Sequence, residues 1–300
     1  MRRRATAAVA LAVLALLAAL TGCSASEPVA GTAGFGEPTQ TVRLAAVGDI
    51  ACEAGAPVTA TTCRHEATAD LTDRLDPDVV LGLGDLQYPD ATTEQFEASW
   101  EDSWGRFSDR LLTIPGNHEW RSDLEGWRET FEEEVPAAYR LGGWGVYLLD
   151  GTCDRADCDA QATWLTERLA EDPGRCQLVA WHHPRVSSQG GPDASVEPLW
   201  QAAVTGGADV ALWGHDHVYE RFAPLDEDLR PSEDEGLRGF VVGTGGKSLY
   251  DFSDTAQPGS QTRVGDTFGV LEVDLEPGAY AWRFVDVDDR ERDSGSDVCR

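Results

Sequence analysis

Val79-Val80-Leu81-Gly82-Leu83-Gly84-Asp85-Leu86-Gln87-Tyr88 is the stretch whose reading decides the fold. Its first five residues are an unbroken apolar run, the pattern of a short strand covered on both faces. Gly84-Asp85 ends the run and opens a polar loop. The same change recurs along the chain. Residues 42–47 lead to Gly48-Asp49, and residues 111–114 to Pro115-Gly116-Asn117-His118-Glu119. Residues 177–181 lead to His182-His183-Pro184, and residues 210–213 to Gly214-His215-Asp216-His217. Helical patterns lie between these runs, at 67–75, 92–107 and 160–169. In the second of them Phe96, Trp100 and Trp104 fall four apart, on one helix face, and read as core. Strand, loop and helix in alternation predict an α/β fold with a largely parallel sheet. The five polar loops are expected beyond the strand ends, at one end of that sheet. Towards the C-terminus the runs 239–242, 268–273 and 279–284 have few helices between them, and 139–149 reads as a hairpin around Gly142-Gly143. A second sheet packed on the first, with helices outside, is therefore expected.

The motif-bearing stretch is continuous, so one domain over residues 41–300 is predicted. Residues 1–22 read as a leader: Arg2, Arg3 and Arg4, then an apolar run shorter than the ~20 residues a membrane span needs. Leu20-Thr21-Gly22-Cys23 matches a bacterial lipobox, so Cys23 is the expected lipidation site; the plainer alternative is a secretory signal with a chance cysteine. A lipid there would anchor the protein outside the cytoplasmic membrane. Residues 23–40, rich in Ser, Gly, Pro and Thr, read as a flexible tether. With Cys23 set apart, six of the 7 cysteines remain, an even number that suits disulfides in an oxidising compartment. Cys52–Cys63 and Cys153–Cys158 each close a short loop, and Cys176–Cys299 would tie down the C-terminus. Spacing alone leaves other pairings open.

The chain carries 24 basic and 53 acidic side chains, a formal net charge of −29. That field opposes nucleic acid and anionic lipid. It also opposes phosphate esters, so a site for them needs local cations. Five of the 6 histidines sit in the five loops. Two carboxylates (Asp49, Asp85), a phenol (Tyr88), an amide oxygen (Asn117) and three imidazoles (His182, His215, His217) make a donor set for two metal ions. Anionic oxygen donors suit a hard trivalent ion, and imidazoles with neutral or shared oxygen suit a divalent one. His183 reads as supporting or structural, and His65 as a solvated helix-start residue. Glu119 and Asp216 either orient imidazoles or face solvent. Gly243-Thr244-Gly245-Gly246-Lys247-Ser248 is not a P-loop, because Val241 stands where the first glycine belongs. It reads as a glycine turn near the site.

These motifs, in this order, resemble the calcineurin-like metallophosphoesterase superfamily, over residues 42–222. Asp49 is followed by Ile50 and Ala51 rather than reaching a histidine two places on, while Tyr88 follows Asp85 by three. That pair of features, with Gly214-His215-Asp216-His217-Val218-Tyr219-Glu220-Arg221, is similar to the purple acid phosphatase branch. The resemblance implies a four-layer fold of two packed mixed sheets flanked by helices. It implies iron(III) on Asp49, Asp85, Tyr88 and His217, and zinc, iron or manganese on Asp85, Asn117, His182 and His215, with Asp85 shared. It further implies hydrolysis of phosphate esters, phosphomonoesters first, by a metal-bound hydroxide. Asn117 and His118 would bind substrate and His118 would assist the leaving group. Plant and animal members carry further histidines after the fourth motif; residues 185–200 have none, and Arg185, Ser187, Ser188 and Gln189 are the polar groups available there. The alternatives are a phosphodiesterase or nucleotidase on the same site, or a non-catalytic, surface-anchored protein that binds a phosphate ligand. The expected partner is a small phosphorylated substrate. No nucleic acid or protein partner is expected, and membrane contact only through the lipid. The expected location is extracytoplasmic, anchored or secreted.

Overall fold

Strand signals appear where the apolar runs are, and polar strands pair with them at the edges. The computed structural model describes residues 34–35, 37–171 and 175–300. The expected leader and the lipidation site Cys23 lie outside the described residues. Within the stretch read as a tether, Gly34–Phe35 forms β1. Then follow β2 (Val42–Val47), α1 (His65–Leu75), β3 (Val79–Leu83), α2 (Thr93–Gln95), β4 (Leu111–Ile114) and α3 (Glu125–Phe131). Next come β5 (Ala137–Leu141), β6 (Trp144–Leu148), α4 (Cys158–Ala170), β7 (Gln177–Ala180), α5 (Glu197–Thr205) and β8 (Val210–Trp213). The chain ends with β9 (Tyr219–Leu225), β10 (Leu237–Val242), β11 (Ser260–Val264), β12 (Gly269–Glu276), β13 (Ala279–Asp286) and β14 (Glu291–Val298).

Two mixed sheets result. The six-stranded one runs β14-β13-β12-β2-β3-β4 and the eight-stranded one β1-β5-β6-β7-β8-β10-β9-β11. The parallel strands β2, β3 and β4 lie in the first sheet, and β6, β7, β8 and β10 in the second. The expected single, largely parallel motif sheet is thereby corrected: three of the loops leave one sheet and two leave the other. The reason is visible in side-chain alternation. Leu178 and Ala180 of β7 and Val210 and Leu212 of β8 join the core shared with β2 and β3. Val179, Trp181, Ala211 and Trp213 point the other way, against Leu165 and Leu169 of α4 and Leu199 and Trp200 of α5. The two sheets are thus packed face to face, with helices outside.

The helix expected over 92–107 is broken. A Thr92–Gln95 capping box starts α2, a π-helical turn covers Phe96–Trp100, and a 3-10 turn covers Trp104–Phe107. The Ser103 hydroxyl turns back to the carbonyls of Ser99 and Trp100, at 3.1 and 3.2 Å. Such local bonds compete with regular helix. Phe96, Trp100 and Trp104 are nevertheless buried, as their spacing demands. The hairpin is present as β5 and β6 in antiparallel pairing. All three disulfides form as favoured: Cys52–Cys63, Cys153–Cys158 and Cys176–Cys299. No helix among the described residues is long and apolar enough to cross a membrane.

One half-buried acid makes this region sensitive to pH. Glu133 Oε2 accepts hydrogen bonds from Thr113 N and Oγ1 on β4, at 2.9 and 2.6 Å. Burial lifts its carboxyl from 4.5 to about 7, against those two bonds. A folded pKa above the unfolded one means the contribution is complete below about pH 4.5 and is lost as pH rises through about 7. Glu133→Gln is expected to be more stable than the parent at pH 8, by up to about 3 kcal/mol, and no more stable at pH 4. Denaturant midpoints at the two pH values test this; an equal difference at both would refute it.

Candidate metal centre

The loops after β2, β3, β4, β7 and β8 meet where the two sheets adjoin. Gly48 N donates to Val242 O across the sheets at 2.8 Å. Asp49 N donates to Gly84 O at 3.0 Å, Ile50 N to Asp85 O at 2.9 Å and Tyr88 N to Ala51 O at 2.9 Å, stitching two loops together. Asp49, Asp85 and His215 all adopt left-handed backbone, with φ of 62°, 49° and 71°. Such conformations cost energy and persist where the surroundings fix them. Gly116 contributes by what it lacks: a Cβ there would collide with Asp85 Oδ1 and lie 2.8 Å from His182 Nε2. Only a glycine lets these two groups approach.

The seven expected ligands converge. Tyr88 Oη is 3.0 Å from Asp49 Oδ1, 3.0 Å from Asp85 Oδ2 and 3.1 Å from His217 Nε2. His217 Nε2 is 3.2 Å from Asp49 Oδ1. On the other side, His182 Nε2 is 3.4 Å from Asp85 Oδ1, and His215 Nδ1 is 3.1 Å from Asn117 Oδ1. Each oxygen of Asp85 therefore faces one half of the cluster. Asp49, Asp85, Tyr88 and His182 are all essentially buried, at 0 %, 2 %, 3 % and 0 % exposure.

The imidazoles are oriented from behind. His182 Nδ1 lies 2.7 Å from Leu83 O, so Nδ1 carries the proton and Nε2 keeps its lone pair. His217 Nδ1 is 2.8 Å from Ser248 Oγ, which holds the ring in place. His182 Nε2 is a buried nitrogen with no hydrogen-bond partner. Burial disfavours its imidazolium, yet Asp85 overrides this and lifts His182 to about 10. Burial would raise Asp85, but His182 and His118 hold it well below the usual carboxylate range. Burial, then Asp49 and Asp85, push the Tyr88 phenol well above 10. A cation reverses this logic, favouring phenolate and neutral imidazole.

The donor set fits metal. Donors about 2.0–2.2 Å from a common ion stand roughly 3.0–3.4 Å apart at octahedral or tetrahedral angles, which matches the spacings above. The lone nitrogen of His182, the close-set oxygens and the glycine cradle all agree with ions there.

Neighbouring residues refine the sequence reading. His118 N donates to Asp85 Oδ1 at 2.8 Å, its Nδ1 is turned to Pro89 O, and its Nε2 is 3.8 Å from Asp85 Oδ2. His183 lies closer to the centre than a structural role requires: its Nε2 is 3.3 Å from Asn117 Oδ1 and its ring 4.1 Å from that of His215. Burial, then His182 and His215, lower it to about 3. His65 is half-buried rather than solvated, with Nδ1 3.4 Å from Cys52 N. Glu119 is fully buried and orients no imidazole; it accepts hydrogen bonds from backbone N–H groups of the Asp85 and Asn117 loops. Asp216 is buried and accepts from Gly190 N at 3.2 Å. Arg185 pairs with Glu197, and Ser188 donates to Glu220 at 2.5 Å, so both are held in the framework.

The turn after β10 was the least legible part of the site. Gly245 N donates to Gly48 O at 2.9 Å, and Lys247 N to Asp49 O at 3.0 Å. Ser248 and Tyr250 both touch His217. The glycine-rich run marked a turn, but nothing in its spacing marked these contacts.

Two packed mixed sheets with such a cluster between their loops define the class of metal-dependent phosphoesterases. The chain belongs to the calcineurin-like phosphoesterase family, whose model matches residues 42–219. No curated protein sequence matches it. Among solved structures, the fold is similar to that of the purple acid phosphatase PPD1 from yellow lupin (Lupinus luteus) seeds, with TM-score 0.70 and 20% identity. That match covers 87% of this chain and 54% of the lupin chain, so this chain spans about half the lupin protein. GAP50, the anchor in the inner membrane complex of Plasmodium, shares the fold with TM-score 0.65 and 12% identity, over 87% of this chain and 89% of its own. PhoD does so with TM-score 0.57 and 12% identity, over 90% and 70% respectively.

Proposed function

We propose that this protein hydrolyses phosphate esters, phosphomonoesters first, at a centre of two metal ions. One ion, iron(III), is held by Asp49, Asp85, Tyr88 and His217. The other, a divalent zinc, iron or manganese ion, is held by Asp85, Asn117, His182 and His215. The observation that carries this reading is the split carboxylate: Asp85 Oδ2 is 3.0 Å from Tyr88 Oη while Oδ1 is 3.4 Å from His182 Nε2. When bound, the ions supply Lewis acidity, charge neutralisation and a water of lowered pKa. The protein's own residues do the rest. His182 presents a fixed lone pair, because its far nitrogen is engaged by Leu83 O, and the His217 ring is held by Ser248 Oγ. Asn117 and His118 bind the phosphoryl group. His118, with Nδ1 turned to Pro89 O, keeps Nε2 on the site side. From Nε2 it gives a proton to the departing alcohol oxygen. We further propose an extracytoplasmic protein anchored through a lipid on Cys23, with a small phosphorylated substrate as its partner; the three disulfides support export.

The test combines metal analysis, a visible spectrum and turnover of an aryl phosphate. Two ions per chain and a tyrosinate–iron(III) charge-transfer band are expected, the band vanishing in Tyr88→Phe. Stoichiometric zinc or manganese without iron would refute the iron assignment, and a single ion per chain the whole centre. His118→Ala is expected to keep both ions and lose about 10²–10⁴-fold in kcat. Parental turnover in that variant would remove His118 from the reaction.

A further inference from the structure

Three large hydrophobic side chains among the described residues are exposed, and Tyr250, at 40 %, is the aromatic one. Its ring lies flat on His217, with centroids 4.1 Å apart and planes 7° from parallel. Three residues earlier stands Lys247, the only lysine of the chain. Its Nζ is 4.9 Å from the Tyr88 ring centroid. It forms no ion pair with any described residue, in a chain of 53 acidic side chains.

Both side chains are carried by a rigid strap. Beyond the contacts of Gly245 and Lys247 with the Asp49 loop, Tyr250 N donates to His217 O at 3.0 Å. Further on, Ser253 N donates to Ser188 O at 3.2 Å and its hydroxyl to the same oxygen at 2.5 Å. A platform pinned at both ends loses little freedom when a ligand settles on it. A tyrosine half in solvent beside a buried polar centre is poorly explained by packing alone. An ammonium with no carboxylate partner among the described residues is equally informative in so acidic a protein.

We propose that Tyr250 and Lys247 form a leaving-group subsite for nucleoside phosphates. This rests on the phosphoesterase reading and narrows its substrate class. The exposed part of the Tyr250 ring takes the planar base by stacking. The Lys247 ammonium meets negative charge beyond the scissile phosphoryl group, so a diphosphate gains more from it than a monophosphate.

The test compares kcat/KM for AMP, ADP and glycerol 2-phosphate in the parent, Tyr250→Leu, Tyr250→Phe, Lys247→Met and Lys247→Arg. Leucine still covers His217 but offers no planar face, and metal content verifies that the centre is intact. Tyr250→Leu is expected to lower the AMP-to-glycerol-phosphate ratio about tenfold, with Phe restoring it. Lys247→Met is expected to lower the ADP-to-AMP ratio several-fold, with Arg restoring it. A readout independent of turnover is adenosine binding by ligand-observed NMR: seen with the parent, lost in Tyr250→Leu. Unchanged ratios, or adenosine binding that survives in Tyr250→Leu, would overturn the subsite and leave Tyr250 as a brace for His217. Adenosine binding that depends on Tyr250, in a protein that hydrolyses none of the esters, would support the subsite and overturn the phosphoesterase reading instead.

Discussion

Asp85→Asn is expected to empty both halves of the proposed metal centre and to abolish turnover. The Asp85 side chain faces both sets, Oδ2 towards Tyr88 and Oδ1 towards His182. The change removes one negative charge from between two cations and turns one of two shared oxygens into an amide nitrogen, which cannot ligate. Loss of a group that merely supports a ligand costs about 10–100-fold in metal affinity. Loss of the shared ligand costs each ion more than that. The backbone consequence is small, because an amide oxygen can still accept from His118 N, now 2.8 Å from Oδ1. The fold is therefore expected to survive while the metals leave. Asp49→Asn is the control: Oδ1 faces Tyr88 and His217, while Oδ2 reaches the other set only through the backbone N–H of His215, at 2.8 Å, so the divalent ion should remain. Metal content of purified Asp85→Asn decides the matter, and two ions retained per chain would sink the shared-carboxylate geometry.

The candidate ligands were legible for a specific reason. Five of the seven stand close behind an apolar run, so those strand ends are marked by the sequence itself. Asp49, Asp85, Asn117, His182 and His215 each follow such a run within three residues, and all lie at the junction of the sheets. What spacing does not encode is which sheet each strand joins. The runs before Asp85 and His182 look alike, yet β3 and β7 belong to different sheets. Groups that act on the backbone were also hidden. Glu119 sits between His118 and Trp120 with no periodic signal, because an acceptor for amide N–H groups needs only reach and burial. The strap bearing Lys247 and Tyr250 was seen as a glycine turn. The lone lysine was the one available clue to more.

Apart from the two-residue β1, the strands that escaped the sequence reading are those rich in polar residues. Strand β14 reads Glu-Arg-Asp-Ser-Gly-Ser-Asp-Val and lies at a sheet edge, largely exposed. Strand β11, Ser-Gln-Thr-Arg-Val, closes the edge of the other sheet. Edge strands need no apolar face on their solvent side, and charge there discourages pairing with other chains. Strand β9 was hidden differently, since Tyr219, Glu220 and Arg221 were read as motif. In the fold their polar groups are satisfied from neighbouring strands and loops: Glu220 by Ser188 and Ser260, Tyr219 and Arg221 by Asp293 of β14. Polar side chains inside a strand become compatible with burial only through partners distant in sequence, which no local pattern reveals.

Glu119→Ala is expected to lower stability by several kcal/mol and to strip metal as a result. The carboxylate accepts from Gly116 N at 2.7 Å and Asp85 N at 2.8 Å through Oε2, and from Leu86 N at 2.8 Å through Oε1. Gln87 N adds a longer bond at 3.4 Å. Alanine leaves these donors without their acceptor in a site of 0 % exposure. A buried donor deprived of its partner costs about 1–3 kcal/mol, and such costs are not additive. Burial, then Asp85, raises Glu119 to about 7, against the bonds from Gly116 and Leu86. So the carboxyl is retained at a cost for what it holds. What it holds is the relation of the Asp85 loop to the Gly116–Asn117 loop, one ligand of the shared position and one of the divalent set. The expected signature separates this role from catalysis: Glu119→Ala loses thermal stability and metal together, whereas His118→Ala keeps both and loses turnover. A Glu119→Ala protein with the parent's melting temperature and metal content would show that the two loops hold their places without the carboxylate.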